Sequence, residues 1–418
     1  MSNVVKGVIF DHSTIFPDIS QTQVIDDIRL LLKNSKEAGL KIGVFSTNPL
    51  KLAPLLKQYS YPSVDLLLTK ADVGVNKGSP KWIKEAASRL GTNTHQLLYI
   101  GDSKQDLLTA LNIPTFYAHA KWNGVELPAK MTAFIAETPS QTWRFITHYL
   151  LIPPRWVHTL DDSDNELYLR SLVGASFNLP ASSPATFNAK DIFTYGRDIR
   201  VGANSAKQIL MNHALTSLYL EGLIEMGTKF VVYPSSKKGS VNPVSRDYIQ
   251  PVSKVFHGYF LEDLLVRAKD APDTSLERAN GRIAPFSYQT DTVHLNPVYA
   301  GKIDGKSIIV FDDFTTTGQS LEWARNLLKS GGAGRVVLVT AGKFKHTHTL
   351  YSPVAADTIE PFVLKAYESS RFRSKTLRVN FIDKSENRLR ESFEHIKDGL
   401  PLPVTTNQSQ DWDWDALR

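Results

Sequence analysis

The sequence predicts an α/β protein of two domains, each built on a parallel sheet, and three observations carry that reading. Apolar strand-like runs alternate with amphipathic stretches through the first third of the chain, the alternation breaks around Leu151-Ile152-Pro153-Pro154-Arg155, and it resumes from Lys229. A chain of 418 residues is also longer than one hydrophobic core usually serves. The domains are drawn at residues 1–150 and 166–350, with a linker at 151–165 containing the acidic stretch Asp161-Asp162-Ser163-Asp164, and an extension at 351–418.

Composition narrows the chemistry. With no cysteine, disulfides and thiolate metal sites are excluded, and a bound metal must use oxygen or imidazole ligands. The formal charge of +6 suits phosphorylated small molecules and nucleic acid equally. No apolar run approaches a membrane span, so no membrane partner is expected. Met1 to Lys6 lead straight into a strand without the blocks of a secretory signal, so a cytoplasmic location is expected.

In the first domain, strands are expected at residues 7–10, 41–45, 64–68 and 97–100, with helical spacing over 23–39 and 81–91. Their carboxyl ends carry the chemistry, as open α/β sheets require. The first strand ends in Asp11, and the second leads into Ser46-Thr47-Asn48. Lys77 stands in Asn76-Lys77-Gly78-Ser79-Pro80-Lys81 at a helix start. The fourth strand runs into Gly101-Asp102-Ser103-Lys104-Gln105-Asp106. A carboxylate nucleophile, a hydroxyl, an ammonium and distal carboxylates for Mg²⁺ make a phosphoryl-transfer set.

This order resembles the haloacid dehalogenase (HAD) superfamily over residues 1–120. The resemblance implies a Rossmannoid parallel sheet, and the intervals between motifs leave no room for a cap domain. It further implies Asp11 as nucleophile, Thr47 and Lys77 as phosphoryl-binding residues, and Mg²⁺ held by Asp11, Asp102 and Asp106. Phosphatases of the family carry a second Asp two residues after the nucleophile as general acid and base, and here that position is Ser13, followed by Thr14 and Ile15. An active phosphohydrolase and a degenerate binding domain both remain open, and slow hydrolysis of phosphomonoesters is expected.

In the second domain, strands are expected at 229–233, 307–311 and 335–339. Asp312 and Asp313 stand at the end of the middle one. Phe314-Thr315-Thr316-Thr317-Gly318-Gln319-Ser320 then opens a helix with Leu321, Ala324, Leu327 and Leu328 on one face, stopped by Gly331-Gly332. A hydroxyl-rich turn into a helix presents N–H groups to an anion, and carboxylates at the strand end can accept from ribose hydroxyls.

The passage resembles the phosphoribosyl-pyrophosphate (PRPP) signature of type I phosphoribosyltransferases. That resemblance assigns Thr316, Thr317, Gly318, Gln319 and Ser320 to the 5-phosphate, and Asp312 and Asp313 to the ribose as catalytic acids. By the same family logic, Lys237 and Lys238 in Pro234-Ser235-Ser236-Lys237-Lys238-Gly239 hold pyrophosphate. Arg246-Asp247-Tyr248-Ile249-Gln250, with the basic segment at 265–272, is similar to the ComF branch, although Asp247 and Ile249 replace its Gly and Asn. A hood over the acceptor is expected from residues 167–227, which contain Phe193, Tyr195, Arg197 and Tyr219, and from parts of the tail. Arg267, Lys269, Arg278 and Arg282 read equally as a solvated basic loop.

Outside these motifs, His346 and His348 are expected on a loop surface rather than on a metal. A helix is expected over 385–397. Trp412 and Trp414, interleaved with acids, are expected to pack on the body or a partner, and nucleic acid is not indicated. Two function classes follow. One is a bifunctional Mg²⁺-dependent enzyme of nucleotide metabolism, in which phosphoribosyl transfer between PRPP or a nucleotide and a base-like acceptor is joined to a HAD phosphatase. The other is a PRPP- or nucleotide-binding regulatory protein of stress or defence with a degenerate HAD domain. A homo-oligomer is left open.

Overall fold

The structure, a computed structural model, describes residues 4–127, 131–178, 188–201, 204–272, 284–355, 359–395 and 402–405. Arg278, Arg282, Trp412 and Trp414 lie outside these described residues.

The first sheet grows from short apolar runs. Its strands are β1 (Gly7–Asp11), β2 (Lys41–Ser46), β3 (Leu66–Thr69), β4 (Leu97–Gly101), β5 (Phe116–Ala120) and β6 (Thr132–Ala136). They lie in the order β6-β5-β4-β1-β2-β3, all parallel. Every residue of β1, β4 and β5 is buried, as strands covered on both faces must be. Helix α1 (His12–Ile15) and helix α2 (Thr22–Glu37) fill the β1–β2 connection, and α2 buries Ile25, Ile28, Leu31 and Leu32 at helical spacing. Only α3 (Leu52–Gln58) lies between β2 and β3. Further along come α4 (Lys81–Leu90), α5 (Lys104–Leu111) and α6 (Pro139–Phe145).

The second sheet contains β7 (His158–Asp162), β8 (Leu167–Gly174), β9 (Lys229–Val232), β10 (Tyr259–Phe260), β11 (Ser307–Thr315) and β12 (Arg335–Lys343). The run β10-β9-β11-β12-β8 is parallel, and β7 is antiparallel to β8. Helices α7 (Ala189–Phe193), α8 (Ala206–Leu220), α9 (Pro243–Val255) and α10 (Gln319–Ser330) connect these strands.

Three boundaries differ from the sequence reading. The stretch 151–165 is not all linker, because His158–Asp162 is a sheet strand. Residues 167–174, expected in the hood, form the strand beside β12. Arg170 hides that strand from a hydropathy reading, yet it is buried against Asp161 and Glu221, each at 2.9 Å. The region after 350 is woven into the body. Strands β13 (Thr347–Pro353) and β14 (Phe372–Arg378) form a hairpin, and β15 (Asn380–Phe381) pairs with β7. Helix α11 (Asp383–His395) follows, two residues ahead of its expected start, and β16 (Leu402–Thr405) runs antiparallel along β6 of the first sheet.

The sheets share one core. Phe116 and Phe134 of the first sheet pack with Phe145 of α6, and Phe116 also meets Tyr219 of α8 and Phe256 after α9, with ring centroids 5.4 and 5.3 Å away. Tyr219, expected at the acceptor, instead donates from its hydroxyl to the Leu97 carbonyl at 2.7 Å. Phe116→Ala should therefore cost about 3–5 kcal/mol. Urea unfolding should report that loss equally by a probe in either half, since the deleted ring contacts both.

Candidate functional site

At the carboxyl edge of the first sheet, parallel register places Asp11 opposite Phe45, with Thr47 half-buried just past the neighbouring tip. Gly101 ends β4, and a Cβ there would stand 2.4 Å from Asp106 Cβ, so only glycine lets the first turn of α5 close on the strand. Ser103 caps that helix by accepting from the Asp106 N–H at 3.2 Å. Asp106 is fully buried and saturated with donors. Its Oδ2 accepts from Ser103 Oγ at 2.6 Å and Ser103 N at 3.1 Å, and its Oδ1 accepts from Tyr99 at 2.5 Å and from Lys77 at 3.0 Å. Burial, reinforced by Asp106, holds the Tyr99 hydroxyl well above its ordinary range, so it stays a donor.

Lys77 also donates to Asp11 Oδ1, which ties the two carboxylates together. Ser13 stands between the remaining pair. Its hydroxyl lies 2.5 Å from Asp11 Oδ2 and 2.9 and 3.0 Å from the two oxygens of Asp102. One hydroxyl proton cannot serve three acceptors. His12 Nδ1 is 3.5 Å from Asp11 Oδ2, with its ring partly exposed.

Two residues of the site escaped the sequence reading. Asn123 Nδ2 donates to Asp102 Oδ2 and to the Ser13 carbonyl, each at 2.8 Å, and Trp122 Nε1 donates to the Thr14 carbonyl at 3.1 Å. They belong to a short turn after β5, in a stretch with no motif of its own, so only the strand order could have announced them.

Asp11, Asp102 and Asp106 bring ligand oxygens within 4.8 Å of one another, and all three residues are buried. Three carboxylates face one ammonium, and Asn123 Oδ1 is a buried acceptor without a partner. An all-oxygen set with surplus negative charge fits a hard divalent cation such as Mg²⁺. Asp11, Asp102 and Asn123 offer the open oxygens, because those of Asp106 are already engaged.

At the second sheet, Asp312 and Asp313 end β11. Ser320 Oγ donates to Asp312 Oδ2 at 3.0 Å, and Thr194 Oγ1, just after α7, donates to Asp313 Oδ2 at 2.9 Å. Burial first, and then the charge of Asp313, pushes the Asp312 carboxyl up to about 8. Gly318 has a φ of 90°, and a Cβ on it would lie 2.2 Å from the His348 ring, so this turn requires glycine twice over.

Beneath the turn, His348 is fully buried, not on a loop surface, with Nε2 2.9 Å from Glu322 Oε1. Burial alone would raise Glu322, but the bonds from His348 and Arg325 hold its carboxyl below the usual range. Thr349 N donates to the Thr317 carbonyl at 2.8 Å and Lys343 Nζ to the Thr316 carbonyl at 2.7 Å; burial pushes the Lys343 ammonium down to about 8. Gln319 turns away to the Ala284 carbonyl at 2.9 Å.

Lys237 and Lys238 are exposed, and Asp270 receives the Lys238 N–H at 2.7 Å and lies 3.4 Å from Lys237 Nζ. Arg267 is not on a solvated loop. It is buried, donating to Thr292 Oγ1 at 2.6 Å and to Gln289 Oε1 at 3.2 Å. His346 lies 3.2 Å from His158, and among the described residues the only metal-type cluster is that of Asp11, Asp102 and Asp106.

An open parallel sheet that gathers three carboxylates and a lysine at one edge defines the class of the N-terminal region: an α/β domain of Rossmann type. Residues 2–119 match the family Haloacid dehalogenase-like hydrolase, and the N-terminal region is a HAD-like hydrolase domain. Phosphoglycolate phosphatases from two strains of Xanthomonas campestris pv. campestris are 28% identical over 130 residues, which is 30% of this chain. The chain spans 59% of the length of these curated relatives. Among solved structures, a HAD-superfamily hydrolase of subfamily IA from Geobacter sulfurreducens aligns at 16% identity and a TM-score of 0.26, over 35% of this chain and 97% of that one. A HAD phosphatase from Thermococcus onnurineus aligns at 17% and 0.28, over 34% and 98%.

Two expectations follow. Gly101→Ala should force Asp106 away from Lys77 and Tyr99, lowering divalent-cation affinity in calorimetry by at least ~10-fold, the equivalent of one buried charge-assisted bond. At Asp312, the folded state holds a proton that the unfolded chain releases near pH 4, so this residue's contribution to stability falls as pH rises from about 4 to about 8 and is level above that. Urea midpoints measured across the window should fall less steeply in Asp312→Asn.

Proposed function

We propose that the N-terminal domain is a Mg²⁺-dependent phosphoryl-transfer enzyme in which Asp11 is the nucleophile. The observation that carries this reading is the convergence of Asp11, Asp102, Asp106 and Lys77 at adjacent strand tips. Mg²⁺ bound there would neutralise phosphoryl oxygens and orient them toward the acceptor carboxylate. Asp11 and Asp102 would hold the ion, and Asp106 acts through Lys77 by fixing where the ammonium stands. Thr47 would receive a phosphoryl oxygen at the neighbouring tip. The HAD family match over 2–119 and the phosphatase relatives support a phosphohydrolase. Asp102→Asn should reduce Mg²⁺ affinity in calorimetry by ~10-fold or more, since a charged ligand oxygen is lost. Unchanged affinity would remove Asp102 from the ion's shell.

A second reading belongs to the second sheet, and the Asp312–Ser320 bond across the Gly318 turn favours it. We propose that this turn binds the 5-phosphate of PRPP or a nucleotide through Thr316, Thr317, Gly318 and Ser320, with Asp312 and Asp313 on the ribose hydroxyls. Gln319 contributes its backbone, its side chain being committed to Ala284. Lys237 and Lys238 are free to swing onto a pyrophosphate, and a base-like acceptor completes the phosphoribosyl transfer. The Asp312→Asn, Asp313→Asn double variant should weaken PRPP binding by a few kcal/mol, roughly the worth of two hydrogen bonds to charged groups. Calorimetry that finds equal affinity in both proteins would reject the ribose assignment.

A further inference from the structure

We propose that the Asp11 site takes phosphoryl groups selectively from donors whose leaving group departs as a stable anion, namely phosphoric anhydrides and acyl phosphates, and that phosphorylated Asp11 then accumulates. The proposal rests on the reading of Asp11 as phosphoryl acceptor and deepens it.

The argument begins with where protons are. Among the described residues, the side chains contacting the Asp11 carboxylate are Ser13, Lys77 and His12. In an in-line displacement the attacking and leaving oxygens stand on opposite sides of phosphorus. Ser13 and His12 both lie against Oδ2 of Asp11 itself, on the attacking side. Lys77 is bound to Asp11 and Asp106 and serves as their charge partner. Ser13 is further committed by its position between Asp11 and Asp102, and a hydroxyl among carboxylates is a poor acid. No described group is therefore set to hand a proton to the departing oxygen.

The first step balances without one. An Asp11 oxygen forms its bond to phosphorus while the bond from phosphorus to the leaving oxygen breaks, and the electron pair leaves with that oxygen as an anion. Phosphate or carboxylate leaves readily in this way, whereas an alkoxide requires protonation. The second step needs a base. Water attacks phosphorus, the bond from phosphorus to the Asp11 oxygen breaks, and water gives up a proton as phosphate and the free carboxylate form. Ser13, which sits where water would have to be deprotonated, is not a base, so the acyl phosphate persists. General acid–base assistance is typically worth ~10²–10⁴ in rate, which sets the size of both effects.

The test uses the full-length chain with Mg²⁺. p-Nitrophenyl phosphate supplies a stable leaving anion, acetyl phosphate is the acyl donor, and ribose 5-phosphate is the alkyl ester. The expected result is a burst of about one equivalent of p-nitrophenolate per chain followed by a stall. Intact mass should then show one added phosphoryl group, also formed from acetyl phosphate and absent in Asp11→Asn. Ribose 5-phosphate should react at least ~10²-fold more slowly. Ser13→Asp should turn the burst into continuous release and abolish the adduct, and should this variant not fold, the wild-type adduct decides alone. Steady turnover of ribose 5-phosphate and p-nitrophenyl phosphate at similar rates, with no adduct, would overturn the proposal. Fluorine NMR of beryllium trifluoride with Mg²⁺ separates the two layers. A bound signal that Asp11→Asn loses, together with steady turnover, sinks this inference and leaves Asp11 as acceptor. No bound signal and no adduct sinks both.

Discussion

Everything at the edge of the first sheet depends on keeping mutually repelling carboxylates close together out of water. Desolvating an ionised group costs several kcal/mol unless partners replace the lost water, and like charges at contact raise that cost further. Lys77 is the device that makes the arrangement tolerable. It bonds Asp11 and Asp106 at once, and its position is itself imposed by Asp106, whose two oxygens are fully engaged by Tyr99, Ser103 and the backbone of Asp102. Gly101 completes the constraint by letting α5 start against the strand. Asp106 is thus the fixed point and Asp11 the variable one: the carboxylate with the fewest obligations is free to do chemistry.

The second sheet faces the same problem and answers it differently. Asp312 and Asp313 also end a buried parallel strand, but no lysine or arginine bonds them. Asp312 instead keeps its proton to about pH 8 under the combined weight of burial and its neighbour's charge. The nearby cations are spent elsewhere: Lys343 on the Thr316 carbonyl, Arg325 on Glu322, and Arg267 on neutral oxygens. These bonds hold the shape of the turn rather than neutralise its acids. A ligand rich in hydroxyls and able to bring its own cation would suit such a site better than a bare anion.

The strand tips were legible because each carries a polar residue at the end of an apolar run, a pattern that survives without knowing what the neighbours are. Asp11, Thr47, Lys77, Asp102 and Asp106 were all picked out that way, and four of them meet in space through direct bonds or shared ligand geometry. Strand β8 was not legible, because Arg170 breaks its apolar run and the compensating acids lie far away in sequence. His348 was misread for a related cause. Its neighbours Lys345, Thr347 and Thr349 look like a surface, whereas strand alternation sends its ring inward against Gly318 and Glu322. Asn123 lies in a turn with no local signal, and its importance comes entirely from β5 lying beside β4.

The domain boundary shows most clearly what pattern reading cannot supply. Alternation predicts sheets, but says nothing of whether two sheets keep separate cores. Phe116, Phe145, Tyr219 and Phe256 interlock across the presumed junction, and the Tyr219 hydroxyl is satisfied by a carbonyl of β4, the strand that leads directly to Asp102. Strand β16 returns to cover the open side of β6, an edge that would otherwise expose unpaired backbone groups. The tail therefore acts as a structural member of the first sheet although it follows the second in sequence. Because packed cores deform little before they repack, a displacement of α8 cannot be absorbed at a flexible hinge. It has to be transmitted to β4, and through Gly101 to the Asp106 anchor on which the phosphoryl site is built.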